Sequence, residues 1–154
     1  MSPALGRCQS ELYAAEAESI GRRGIRWTKV AAAQAHVDRL VGSPWFAGRW
    51  PHFVHCAIER RGRGSVWSVS HPLDSDGPGG LPTEGVILVA DGALAQPVLL
   101  HELAHLLVPE SAGHGPAFAA VHLSLVRHDM GFDAYAEYLG CLRRRPPFAG
   151  LAAG

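Results

Sequence analysis

A chain of 154 residues with 47% hydrophobic and 18% charged side chains can bury one sizeable core, which excludes a disordered or fibrous polymer. Fourteen basic residues balance fourteen acidic ones, so no net field draws the molecule towards nucleic acid or an anionic membrane. Cys8, Cys56 and Cys141 are too scattered for a zinc ribbon or a disulfide framework, and reduced thiols are expected. The opening "MSPALGRCQSELYAAEAES" has no apolar stretch of the kind a secretory signal needs, and no apolar run is long enough to span a bilayer. The expectation is a cytoplasmic protein without a membrane partner.

Residues 10–20, "SELYAAEAESI", read as a short amphipathic helix ended by Gly21 and Gly24. Thr28 is placed to cap a second helix, in which Val30, Ala33, Val37, Leu40 and Val41 recur at helical spacing. "GSPWFAGRWP" breaks that helix, and its Trp45, Phe46 and Trp50 read as a seal at a core edge. From His52 the period becomes two. "HFVHCAIE" and "SVWSVSH", joined by "RRGRG", predict a hairpin.

"HPLDSDGPGGLPTE", opened by His71, is a loop of a length that tends to be functional or mobile. "GVILVA" is a third strand, whose nearly continuous apolar run predicts a central or doubly covered position. A helix over about 95–108 follows, ended by Pro109 and Gly113, and Pro116 opens another over 116–129, stopped by Gly131. A last helix over about 133–143 runs into "RRRPPFAGLAAG", so residues from about 145 to 154 read as a flexible tail. The order of elements predicts a single α+β domain over 1–154, with a small, mostly antiparallel sheet of about three strands and flanking helices.

The chemistry is concentrated in "VLLHELAHLLVPESAGHGPAF", Val98 to Phe118. On a helix His101 and His105 project from one face a turn apart, as two imidazoles must to meet one ion at zinc–nitrogen distance. Glu102 is one position round, suited to contact a metal-bound water and act as its general base. The residues flanking these three within the helix are uncharged. A buried helix carrying three ionisable groups needs compensation, and a metal supplies it most simply; satisfied core histidines are the bland alternative.

A catalytic zinc commonly has three protein ligands. His114, beyond the breaker "PESAG", is the first candidate for the third, with Glu110, Asp129, Asp133 and Glu137 as competitors. Arg60, Arg61 and Arg63, and Arg143 to Arg145, read as solvated clusters. His122 and His128 read as surface or core-edge residues. Tyr135, Tyr138, His122 and His128 are the downstream candidates for an oxyanion-stabilising donor.

The same stretch resembles the active-site pattern of SprT-like and related minimal zincins, in which an H-G-x-x-F/W segment opens with the third zinc ligand. Length and element order are similar to those of a family of small actinobacterial metallohydrolases. The resemblance implies a minimal zincin-like fold and zinc-dependent hydrolysis of a peptide or protein substrate. It implies metal ligation by His101, His105 and His114, with Glu102 as catalytic base. Val108 and Ser111 stand where metzincins carry Gly and His, which excludes that branch. The missing zinc ribbon weakens transfer of the DNA-repair role that SprT-type proteins have. A second reading is a metal-binding, non-catalytic or regulatory module acting on nucleic-acid-associated proteins, and a third is a structural protein with coincidental histidines.

Overall fold

The computed structural model describes residues 3–154. Its elements in chain order are α1 (Pro3–Glu18), α2 (Val30–Val41), α3 (Pro44–Arg49), β1 (His55–Arg60), β2 (Val69–Pro72), β3 (Glu84–Val89), α4 (Gln96–Leu106), α5 (Pro116–Asp129) and α6 (Phe132–Arg143). The class is α+β, as expected from the order of periodicities. Two compact units are formed, Ile25–Pro109 and the pair of segments Met1–Gly24 and Glu110–Gly154. No helix among the described residues is long and apolar enough to cross a membrane.

The Ile25–Pro109 unit holds the sheet, in the order β1-β3-β2. β3 is central, as its apolar run predicts: Gly85, Ile87 and Val89 are buried while Val86 and Leu88 are half-buried. The predicted hairpin does not form. β1 pairs in parallel with β3, from His55 opposite Glu84 to Arg60 opposite Val89, and β2 pairs antiparallel with β3, from Val69 opposite Leu88 to Pro72 opposite Gly85. The sheet is therefore mixed. The "RRGRG" turn signal is local, whereas the most apolar strand gains more by having a neighbour on each side.

β1 is an edge strand, and its outer edge is occupied by a side chain from α2. Gln34 accepts from the Ile58 amide at 2.7 Å and donates to the Cys56 carbonyl at 2.8 Å. One amide thus pairs with the strand as a neighbouring strand would, and closes an edge that would otherwise invite aggregation. α2 starts after Lys29, and Thr28 does not cap it. The segment expected only to break α2 forms a helix of its own, α3, with Ser43 accepting from the Phe46 amide and Pro44 at its first turn. Phe46 is fully buried, and the Trp45 and Trp50 rings stack around it as the predicted seal.

The long loop is ordered by Asp74. Its carboxylate accepts from the Thr83 amide and from the Thr83 hydroxyl, both at 2.7 Å, so the loop's two ends are held together. These bonds, the Thr83 amide first, hold the Asp74 carboxyl below its ordinary range.

In the other unit α1, α5 and α6 pack as a helical cluster. α1 begins two turns earlier than the apolar pattern suggests, at Pro3. α5 has the predicted bounds and α6 starts one residue early. Residues 145–154, which the sequence reads as a flexible tail, contain a short 3-10 turn that buries Phe148 to 1% exposure. Arg143 donates twice to the Leu151 carbonyl, at 2.9 and 2.8 Å.

Candidate metal centre

α4 is fixed at both ends before any chemistry is considered. At its start a short strap, residues 25–27, runs alongside. The Gln96 amide donates to the Ile25 carbonyl at 2.8 Å, the Gln96 side chain accepts from the Ile25 amide at 3.0 Å, and the Trp27 amide donates to the Leu94 carbonyl at 2.9 Å. Pro97 occupies the first turn, where its missing N–H costs nothing. At its end Leu106 packs into the space over Gly85 of β3. Between these anchors Leu99, Leu100, Leu103 and Ala104 are buried, so the helix turns a broad apolar surface to its surroundings.

His101, Glu102 and His105 are the only ionisable residues of α4. His101 is 7% and Glu102 8% exposed, and His105 is half-buried. The His101 and His105 rings lie with centroids 5.0 Å apart and planes at 67°. This can be compared with what an ion requires. Two imidazoles bound at 2.0–2.1 Å to a tetrahedral ion have ring centres roughly 5 Å apart, since each nitrogen lies about 1.2 Å from its ring centre. The spacing of the two rings on α4 is thus of the size that a shared divalent ion requires. Neutral imidazole nitrogens suit zinc among several divalent ions.

His114 lies in the Glu110–Gly154 segment, in the turn between α4 and α5. A 3-10 turn over Glu110–Ala112 leads into Gly113, whose φ of +50° is in the region where a side chain is strained. The Gly115 amide then donates to the Ala112 carbonyl at 2.9 Å, and Pro116 starts α5. His114 is held between two rings. Phe118, four residues on, stacks edge-to-face at 5.1 Å, and Tyr13 of α1 does the same at the same centroid distance. The Tyr13 hydroxyl oxygen is 3.3 Å from His114 Nε2. Among the competitors, Glu110, Asp133 and Glu137 are exposed, and Glu137 is committed to an ion pair with Arg23.

His122 differs from its sequence reading. It is fully buried rather than at the surface or a core edge. Its Nδ1 lies 3.0 Å from the Tyr138 hydroxyl and 3.4 Å from a Glu16 carboxylate oxygen. α1, α5 and α6 thus each contribute one polar group to a shared cluster in an apolar interior. Burial, and secondarily the Glu16 charge, push the Tyr138 phenol well above its ordinary range, so it remains a neutral hydrogen-bonding group. His128 is exposed on α5 and Tyr135 is tied to Gly154, with the Gly154 amide donating to its hydroxyl at 2.8 Å.

Tyr13 and Glu16 were not singled out by sequence. Their spacing of three on α1 was visible, but nothing local distinguishes them from surface residues of an amphipathic helix. Comparison of the chain with family models, curated proteins and solved structures yields no match.

Proposed function

We propose that the chain is a zinc-dependent metallohydrolase acting on peptide bonds, with His101, His105 and His114 as metal ligands and Glu102 as general base. In this reading it is a minimal zincin similar to SprT-like proteins. The supporting observation is the pair of imidazoles at 5.0 Å on a helix whose remaining residues are apolar or uncharged, with a carboxylate buried beside them. A helix buried this deeply gains nothing from histidine and glutamate as packing residues, because each ionisable group must be compensated.

A bound divalent ion supplies Lewis acidity at a carbonyl and lowers the pKa of a water towards neutrality. The chain's own groups do the rest. Glu102 accepts the proton of the attacking water and returns it to the leaving amine. The apolar residues of α4 keep the carboxylate in a poorly solvated environment, where its interaction with a nearby proton is strengthened. His101 and His105 are held in register by the anchored ends of α4, so the donor pair is organised before any ion arrives.

The test uses untagged full-length protein and Glu102→Gln. The variant keeps one equivalent of zinc, while hydrolysis of an unstructured protein such as casein falls by about 10²–10⁴-fold, the range for loss of a general base. Undiminished hydrolysis in that variant overturns the mechanism. Zinc binding without Glu102-dependent turnover favours the non-catalytic, regulatory module instead, and absence of zinc from the wild-type protein overturns both.

A further inference from the structure

Alternation along the strands gives the sheet of the Ile25–Pro109 unit two faces. On one, Cys56, Ile58, Gly85, Ile87 and Val89 are buried, and Leu106 of α4 packs over Gly85. The other face is also apolar, yet it lies open. Ala57, Val69, Val86 and Leu88 form its half-buried centre. Trp67, two residues before Val69, and Leu73, two after His71, continue the line of β2 and are 67% and 58% exposed. A sheet that meets water on one side ordinarily turns polar residues to it. The run "GVILVA" suits a strand covered on both faces, and here Val86 and Leu88 are left half-buried.

The register puts opposite charges at opposite ends of this open face. Glu84 of β3 is level with His55 of β1, and its carbonyl accepts from the Leu73 amide at 2.9 Å. Arg61 follows β1 at the other end, where its amide donates to the Val89 carbonyl at 2.8 Å. Its guanidinium donates to the Trp67 carbonyl at 2.6 Å, which holds the charge across the end of β3. About 17 Å of strand separates the two ends, so Glu84 and Arg61 do not pair within one copy.

We propose that the open face pairs with the same face of a second copy, the sheets stacked and the strands reversed by a two-fold axis running across them. Reversal about the level between Val86 and Leu88 sets Val86 of each copy against Leu88 of the other. It brings Trp67 to the other copy's Leu73 and Arg61 to its Glu84, each twice. The face is thus complementary to itself, as an isologous contact requires. Stacking without reversal would oppose Glu84 to Glu84 and Arg61 to Arg61. His55 and Glu59 of β1 stay at the margin, which is polar as interface rims are. Three strands and seven residues of length cover roughly 330 Å² of each copy. That is at the small end for specific contacts, so the dimer is weak and forms at micromolar concentrations or above. None of this depends on a metal.

Sedimentation equilibrium of the full-length protein over a concentration series tests the proposal. EDTA is present throughout, to remove metal bridging through the exposed His55 and His71. The wild type is expected to pass from monomer to dimer and no further. A monomer at every concentration assigns the face to a different partner and overturns the proposal, as does an open-ended polymer. Leu73→Glu, at an exposed position, is expected to keep the wild-type urea midpoint and weaken the dimer at least about ten-fold. Undiminished dimerisation of that variant overturns the assignment of the face.

A charge exchange gives a reading that does not hang on how Leu73→Glu folds. Arg61→Glu and Glu84→Arg, both at exposed positions, each bring like charges together across the axis. Each is expected to weaken association about three- to ten-fold. The double exchange is expected to restore it, and only a contact between copies can produce that rescue. A double variant no tighter than the two single ones overturns the reversed arrangement.

Discussion

Gly85 of β3 and Leu106 of α4 meet with no room for a methyl group between them. A Cβ placed on Gly85 would stand 2.5 Å from Leu106 Cδ1 and 2.9 Å from Cδ2. Leu106 immediately follows His105 and is 2% exposed, so it cannot swing aside into solvent. The missing side chain at Gly85 therefore sets how closely the last turn of the histidine-bearing helix approaches the sheet. Gly85→Ala is expected to destabilise the protein by about 1–3 kcal/mol, the usual cost of overpacking a core. The substitution should cost much less in a Leu106→Ala background, where the space is already open. Urea midpoints for the four proteins of this cycle decide the matter, and strict additivity would show that the two residues do not share the contact.

The buried phenol of Tyr138 predicts a stability limit at alkaline pH. Its folded-state pKa is raised above the ordinary value of 10.0, first by burial and then by Glu16. The native state thus holds this proton more tightly than the unfolded state. Its contribution is complete below about pH 10 and is lost as pH rises towards the folded value. Tyr138→Phe removes the hydrogen bond to His122, at a cost of about 1 kcal/mol at neutral pH. It should also flatten the decline of the unfolding free energy above pH 10. Equal alkaline slopes in the two proteins would contradict the assignment.

Some of this architecture was legible because its signals are local. Pro116 and Gly131 bracket α5 in sequence as they do in the fold, and the run from Gly85 to Val89 announced a central strand. His101, Glu102 and His105 could be placed on one helix because a spacing of four is a property of the helix alone. The pairing of β1 and β2 with β3 rather than with each other has no such local signal. A turn signal proposes neighbours, but the competition of both strands for β3 is decided by burial over the whole sheet.

The polar groups around His114 and His122 were not legible for the same reason. Tyr13 and Glu16 come from a helix about 100 residues upstream of the histidines they meet. The burial of His122 does have a local sign. Phe118 and His122 are four apart, and His122 belongs to the same stripe as Ala119, Leu123 and Val126, all buried. A histidine within an apolar stripe is a buried histidine, and it will have polar partners.

Thiol chemistry separates the cysteines. Cys56, 1% exposed on β1, has its thiol pushed up from 9.0 to about 12 by burial and, secondarily, by the charge of Asp38. The thiolate is the reactive species, so Cys56 should resist iodoacetamide at pH 8 while the protein is folded. Cys8 is half-buried and is expected to be modified first, with Cys56 following only on unfolding. Mass spectrometry of briefly alkylated protein checks this, and early carboxamidomethylation of Cys56 would contradict the packing of β1. The same raised pKa adds stability below pH 9 that is lost as pH rises through about 12, so Tyr138→Phe should remove only part of the alkaline loss.

Metal binding by the native state should appear as thermal stabilisation, because an unfolded chain does not preassemble the donors. At a free zinc concentration one hundred times the dissociation constant, the folded state gains about 2.7 kcal/mol. For a chain of this length that corresponds to a rise in Tm of roughly 5–11 °C. The shift should persist in Glu102→Gln, whose carboxylate is assigned to the proton and not to the ion. It should vanish in His101→Ala, even though that variant has its own baseline Tm. Scanning calorimetry with and without zinc compares each variant with itself, so the packing cost of the substitution cancels. An undiminished shift in His101→Ala would place the ion elsewhere and leave the histidine pair of α4 without a metal role.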